Sequence, residues 1–264
     1  PPSPATTSGT PRSSGWRRRS TAAKNASMST WAMRSANCTF PPYPLPTLPP
    51  VLARLFLVRH GEVLNPDHIC YGDLPGFRLS PNGLRQARAA ADHLARAGAD
   101  RLVCSPLRRA RETARVIGRR LGLEPIVDER LTEWRLGTRW AGIVWEQLPT
   151  VFPGELEAYL DHPDDLPFSP ESIAAVADRV EAAVDELGRL HPGRQAILVS
   201  HQDPVQAARL RLTGGSLGDL HHARPGHGAV FTLVPGPPWR LAEAWEPPGP
   251  AGLFPPVGGP GPTG

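Results

Sequence analysis

Two short apolar runs, each stopping on polar residues that include a histidine, limit what this chain can fold into more than anything else in it. Leu55-Phe56-Leu57-Val58 ends on Arg59-His60, and Ala196-Ile197-Leu198-Val199 ends on Ser200-His201. Apolar runs of this length, rich in branched side chains, read as strands that feed a buried sheet. A strand that fills a core and then stops on a cation and an imidazole aims those groups off the rim of the sheet. The two runs lie about 140 residues apart, so a single site drawn from both halves of one domain is expected.

The segments between them alternate in kind. Ala53 to Val58 reads as the first strand, followed over 61–79 by a loop rich in turn formers. Ser80-Pro81 places a cap residue before a first-turn proline, and Leu84 to Ala97 reads as a helix ended by Gly98. Arg101 to Cys104 is a second strand. Ser105-Pro106 repeats the cap-then-proline signal and opens a helix to about Leu121, and Ile126-Val127 reads as a short strand. Residues 130–170 are irregular with short helices. Ile173, Val176, Val180, Val184 and Leu187 then mark an amphipathic helix over Pro170 to Leu190. A strand over 196–200, a helix over 204–213 and strands over Ala229 to Leu233 and Trp239 to Ala244 complete the order. Such alternation predicts an α/β fold, a three-layer sandwich with a mostly parallel central sheet flanked by helices. Binding then belongs at the carboxyl ends of the strands.

Twenty of the 33 prolines lie in residues 1–50 and 235–264, and seven of the 26 glycines lie in 235–264. We expect a disordered or extended tail over 1–50, a folded domain over 51–245 and a Pro/Gly-rich disordered tail over 246–264. Residues 1–50 hold Arg12, Arg17, Arg18, Arg19, Lys24 and Arg34 and no acid, so the formal charge of +4 leaves the remainder near −2. That balance gives no nucleic-acid footprint. The N-terminal stretch lacks the apolar core of a secretory signal, and its acid-free, Arg/Ser-rich character resembles an organellar transit peptide. Met28 and Met33 lie closer to the folded region, which leaves an over-extended start or a fragment boundary open as further readings. Cys38, Cys70 and Cys104 form no CxxC pair, so a reducing cytoplasm is expected rather than a disulfide framework. No segment approaches 18 apolar residues, so no membrane span is expected.

The polar residues at the strand ends suit one chemistry. Transfer of a phosphoryl group needs cations around its oxygens, a nucleophile in line and a proton for the leaving oxygen. A neutral His60 can be the nucleophile, Arg59 and Arg109 can supply charged forks, and His201 can donate from the opposite side. Glu62 and Glu133 are both candidates for the acid. Two histidines and a glutamate could also bind zinc, yet no HExxH or closely spaced ligand pair supports that, and no metal or cofactor is expected. Asn65 precedes Pro66 and reads equally as a turn former or a pocket contact. His221, His222 and His227 lie in a Gly/Pro-containing loop, where bordering the pocket is one reading and exposure to water the favoured one. Tyr71 and Trp140 fit a pocket wall or the core.

Five segments in order resemble the histidine phosphatase superfamily, in its phosphoglycerate mutase-like branch. They are Leu57-Val58-Arg59-His60-Gly61-Glu62 with Asn65; Leu79 to Ala87; Ser105 to Ala114; Leu131-Thr132-Glu133 with Gly137, Trp140 and Gly142; and Val199-Ser200-His201. The resemblance covers roughly 53–235 and implies a phosphoglycerate mutase-like fold. It also implies that His60 becomes phosphohistidine, that Arg59, Arg109 and His201 cage the phosphate, and that Glu133 is the general acid and then the base. Asn65 would add a substrate contact, and no metal is needed.

Two departures stand out. Gln202-Asp203-Pro204 follow the second histidine where the family often has glycines, and Asp203 could either cap the next helix or bring an acid to the pocket. Trp134-Arg135-Leu136 replace the basic-aromatic segment of the glycolytic mutases. The expected activity is therefore a metal-independent phosphomonoesterase acting on a small organic phosphate. A phosphomutase and a non-catalytic phospho-ligand binding protein are the alternatives. The 134–170 region, with its aromatic residues among acids, is expected to form much of the pocket lid.

Overall fold

The two apolar runs lie side by side. In the computed structural model, which describes residues 51–249, β1 (Arg54–Arg59) pairs in parallel with β4 (Gln195–Ser200), Leu55 opposite Ala196 and Arg59 opposite Ser200. Because the register is even to the last residue, His60 and His201 leave the sheet at the same level. The readings for residues 1–50 and 250–264 lie outside the described residues.

Alternation along these strands builds the three layers. Leu55, Leu57, Ala196 and Leu198 face one way, into a core shared with Val180, Ala183, Val184, Val205 and Ala208. Phe56, Val58, Ile197 and Val199 face the other, against Ala90, Ala91, Leu94, Ala110, Ala114 and Ile117. The helices supplying those side chains are α1 (Pro81–Leu94) and α2 (Arg108–Leu121) on one face, α6 (Ile173–Leu190) and α7 (Gln202–Thr213) on the other. The alanines of α1 and α2 let both helices lie close to the sheet. Each fully buried leucine or valine contributes about 1.5–3 kcal/mol.

The sheet order is β3-β2-β4-β1-β5-β6, with β2 at Arg101–Cys104 and β3 at Ile126–Val127. These four, β3, β2, β4 and β1, run parallel. Strands β5 (Val230–Val234) and β6 (Arg240–Trp245) extend the sheet antiparallel beyond β1. The sheet is thus mostly parallel with an antiparallel edge, an arrangement common in α/β sheets.

The start of α1 follows the cap read in the sequence, whereas those of α2, α6 and α7 shift by two or three residues. Helix α1 opens at Pro81 on the Ser80 cap, whose hydroxyl accepts from the Gly83 N–H at 2.9 Å. Helix α2 opens only at Arg108, because Ser105 is held by His201 and by the Leu107 N–H instead of capping a helix at Pro106. Helix α6 begins at Ile173 on the Ser172 cap. Helix α7 begins directly after His201, so Pro204 falls in its first turn, where an N–H has no intrahelical partner to lose.

Between β3 and α6 the chain forms three short helices, α3 (Leu136–Trp140), α4 (Leu148–Val151) and α5 (Glu155–Asp161). They share a separate core of Trp134, Trp140, Leu148 and Tyr159 with Ile173, Val176 and Ala207. The Trp134 indole donates to Glu171 O at 2.7 Å and the Trp140 indole to Glu155 Oε2 at 2.9 Å, so neither buried ring leaves its N–H unpaired.

Candidate active site

The end of β1 is locked on three sides before any side chain acts. His60 N–H donates to Ser200 O at 3.0 Å, Gly61 N–H to Thr113 Oγ1 at 3.1 Å, and Thr113 Oγ1 to Arg109 O at 2.9 Å. Gly61 lies against the start of α1 so closely that a Cβ there would meet Gly83 O at 2.4 Å. The Thr113 hydroxyl thus ties the end of β1 to the first turn of α2 and fixes His60 and Arg109 relative to each other.

His60 is 1 % exposed. Its Nδ1 lies 2.7 Å from Gly61 O, an acceptor only, so Nδ1 carries the proton and Nε2 the lone pair. Arg109 Nε donates to that Nε2 at 3.2 Å and to His201 Nδ1 at 3.1 Å. His201 must then hold its proton on Nε2, which points at Ser105 Oγ 2.7 Å away. The two imidazole rings stand edge to face with centroids 5.1 Å apart. Burial, with Arg109 next in importance, pushes both histidines well below the usual imidazole range, so both are neutral at pH 7. Arg109 is itself anchored by donating to Gly72 O and lies 4.8 Å from the Tyr71 ring centroid. The loop carrying Gly72 meets α3 at Gly137, where a Cβ would come within 2.4 Å of Gly72 Cα.

Glu133 follows the short turn Glu129–Leu131 and has Oε1 on the Trp134 N–H at 2.9 Å. Its Oε2 is 3.9 Å from His201 Nδ1, which is no hydrogen bond and, with His201 neutral, no ion pair. Burial first, then the charge of Asp203, raises the Glu133 carboxyl to about 7. A carboxyl at that value both gives and takes a proton near neutral pH. Glu62, the other acid considered, is occupied elsewhere: it accepts from Ser80 Oγ at 2.6 Å and Asn82 Nδ2 at 2.8 Å, tying the start of α1 to β1.

The structure thus brings His60, Arg59, Arg109, His201 and Glu133 together and leaves Asn65 aside. Asn65 Nδ2 donates to Ile69 O at 2.9 Å and its Oδ1 accepts from Ile69 N–H at 3.2 Å, so both ends of its amide staple the loop. Asp203 does not cap α7, since His201 occupies the cap position; both its oxygens lie 3.3 Å from the Tyr159 hydroxyl. The expectation that the loop histidines lie in water holds for His222 alone. His221 Nε2 is 2.7 Å from Tyr159 O, and His227 Nε2 accepts from Arg59 NH2 at 2.9 Å. For His227 the less favoured reading, at the border of the site, is the one the structure shows; the loop has no motif, and only its place just before β5, beside β1, signals it. Among the described residues, no group of three or more His, Cys, Asp or Glu side chains is arranged to hold a metal ion.

An unprotonated imidazole nitrogen that accepts from a buried arginine, in a site with a carboxyl raised to about 7, has the means to take up and release a phosphoryl group. That arrangement, at the carboxyl rim of a mostly parallel sheet, puts the chain in the class of α/β phosphoryl-handling enzymes. The chain belongs to the histidine phosphatase superfamily (branch 1), whose sequence profile matches residues 55–238. It is 34 % identical over 212 residues to the glucosyl-3-phosphoglycerate phosphatase of Mycobacterium tuberculosis, covering 73 % of this chain and 94 % of that one. It is 31 % identical over 167 residues to phosphoserine phosphatase 1 of Hydrogenobacter thermophilus, 63 % and 79 % of the two chains. Its fold is similar to the solved mycobacterial glucosyl-3-phosphoglycerate phosphatase complexed with VO3, with a TM-score of 0.67, 32 % identity and coverage of 74 % and 98 %. Among the described residues no helix is long and apolar enough to cross a membrane.

Proposed function

We propose that the protein is a phosphomonoesterase that hydrolyses a small organic phosphate through a phosphohistidine at His60, with no metal. The observation that carries this is the tautomer of His60: Nδ1–H is held by Gly61 O at 2.7 Å, which leaves Nε2 unprotonated and turned to Arg109 Nε at 3.2 Å. The Nε2 lone pair attacks phosphorus while the bond from phosphorus to the leaving oxygen breaks, and protonated Glu133 gives that oxygen its proton. Glu133, now a carboxylate, takes a proton from water as the water oxygen bonds to phosphorus. The P–N bond breaks, its electron pair returns to Nε2, and inorganic phosphate leaves. Arg109 and Arg59 balance the charge of the phosphoryl oxygens in both steps.

The named relatives support a small polar ester, since one is a phosphoserine phosphatase and the other a glucosyl-3-phosphoglycerate phosphatase. Cys70 and Cys104 are free buried thiols, which agrees with a reducing cytoplasm as the working compartment. The test is release of phosphate from an aryl phosphate with chelator present, comparing wild type with His60→Ala. Chelator-resistant turnover, an acid-labile phosphoenzyme and loss of both in the variant are expected. Turnover that survives in folded His60→Ala would overturn the reading.

A further inference from the structure

Arg59 is gripped by a loop that the steps above do not use. Its NH1 donates to Pro225 O and its NH2 to His227 Nε2, each at 2.9 Å. The Gly228 N–H is shared between the Arg59 and His60 carbonyls at 3.2 Å each, so the same loop is clamped to the end of β1 through the backbone. The His227 ring centroid lies 5.6 Å from that of His60. The guanidinium is therefore fixed beside the nucleophile. Its Nε–H is buried without a hydrogen-bond partner. A buried guanidinium donor left unpaired costs free energy until an oxygen reaches it, and a phosphoryl group at His60 would bring one.

The grip depends on His227 being neutral, because a protonated imidazole has no lone pair and would repel Arg59. Burial, followed by the charges of Arg59 and Arg109, holds His227 well below the usual imidazole range. Pro225 contributes only a backbone carbonyl, so of the two partners only the histidine can be altered by substitution.

We propose that His227 is a positioning residue for phosphoryl binding: by accepting from Arg59 NH2 it orients the guanidinium so that the unpaired Nε–H meets a phosphoryl oxygen at His60. The proposal rests on the phosphohistidine reading above. His227 does not touch the reacting atoms in this role.

The experiment measures inorganic phosphate binding by calorimetry, with kcat and KM on an aryl phosphate, for wild type, His227→Ala, His227→Gln, His227→Phe, Arg59→Ala and the Arg59→Ala/His227→Ala double variant. His227→Ala is expected to weaken phosphate binding and kcat/KM about tenfold, the scale of one oriented charge-assisted hydrogen bond. Glutamine, whose amide oxygen can accept from the same NH2, restores most of the loss. Phenylalanine, which keeps the ring volume but has no acceptor, does not. The double variant is no weaker than Arg59→Ala alone. Unchanged phosphate affinity in His227→Ala, additive losses in the double variant, or rescue by phenylalanine and not by glutamine would each overturn the proposal. If His227→Ala does not fold, the Gln and Phe pair carries the same comparison. Wild type that forms no phosphoenzyme refutes the proposed function; wild type that forms one while the His227 variants match it refutes this inference alone.

Discussion

Replacing Glu133 by glutamine separates proton donation from everything else this carboxyl does. Its value of about 7 leaves the free enzyme half protonated at neutral pH. The acid form then declines with pH, so kcat/KM for a poor leaving group should fall about 50-fold between pH 7 and pH 9. His60 adds no limb in that window, since it is already neutral well below pH 6.5. Glutamine preserves the acceptor for the Trp134 N–H but has no proton to give. On alkyl phosphates, Glu133→Gln should lose about 10²–10⁴ in rate and with it the alkaline decline. On an aryl phosphate whose phenolate leaves unaided, the first step survives while water attack lacks its base. Stopped-flow release of the phenolate should therefore show a burst of about one equivalent per site, followed by slow turnover. A variant that keeps the wild-type alkaline limb, or loses alkyl and aryl activity equally with no burst, would refute the assignment.

The remaining expectations concern stability and tuning. Folding raises the Glu133 carboxyl from its ordinary value of 4.5 to about 7, so its contribution to stability is fully present below 4.5 and is lost as pH rises through about 7. Glu133→Gln should accordingly be more stable than wild type at pH 8, by on the order of 1–3 kcal/mol, and match it at pH 4, read by urea unfolding. Asp203→Asn removes the charge that ranks after burial in raising Glu133, so the alkaline limb of kcat/KM should move to lower pH; a shift to higher pH would exclude that coupling. Leu57→Ala, at 1 % exposure in β1, should cost about 2–5 kcal/mol in urea unfolding. Gly137→Ala forces a Cβ to 2.4 Å from Gly72 Cα and should displace the loop whose carbonyl anchors Arg109, raising KM; an unchanged KM in the folded variant would exclude that anchoring role.

The strands β1 and β4 and the ends on which they stop were readable from Leu55–Val58 and Ala196–Val199, because strands buried on both faces leave continuous apolar runs, but their pairing with each other was not. The Ser80-Pro81 start of α1 was readable because cap chemistry is local. The identical signal at Ser105-Pro106 misled by two residues, since its hydroxyl is claimed by His201, 96 residues away. The residues alone left Glu133 and Glu62 open and only the family resemblance favoured Glu133; the structure supplies the reason, since Glu62 lies two residues from His60 but turns back to Ser80 and Asn82. His227 was not settled by the sequence for a related reason. Its partner Arg59 is brought to it by antiparallel pairing of β5 with β1, and no local pattern announces which strand a short apolar segment will join.

The even register of β1 against β4 has a consequence for when this protein becomes active as it is made. A chain synthesised only as far as Arg194 already holds His60, Arg59, Arg109 and Glu133, yet it lacks both neighbours of β1, because β4 and β5 come later. The backbone partner of His60, Ser200, and the loop that grips Arg59 belong to the last quarter of the folded region. An emerging or prematurely terminated chain therefore carries the chemistry in its sequence without the architecture to use it. Two fragments divided near the exposed Gly193 turn would regain activity only by zipping β1 between its late-made neighbours, which makes turnover a direct reporter of that final docking.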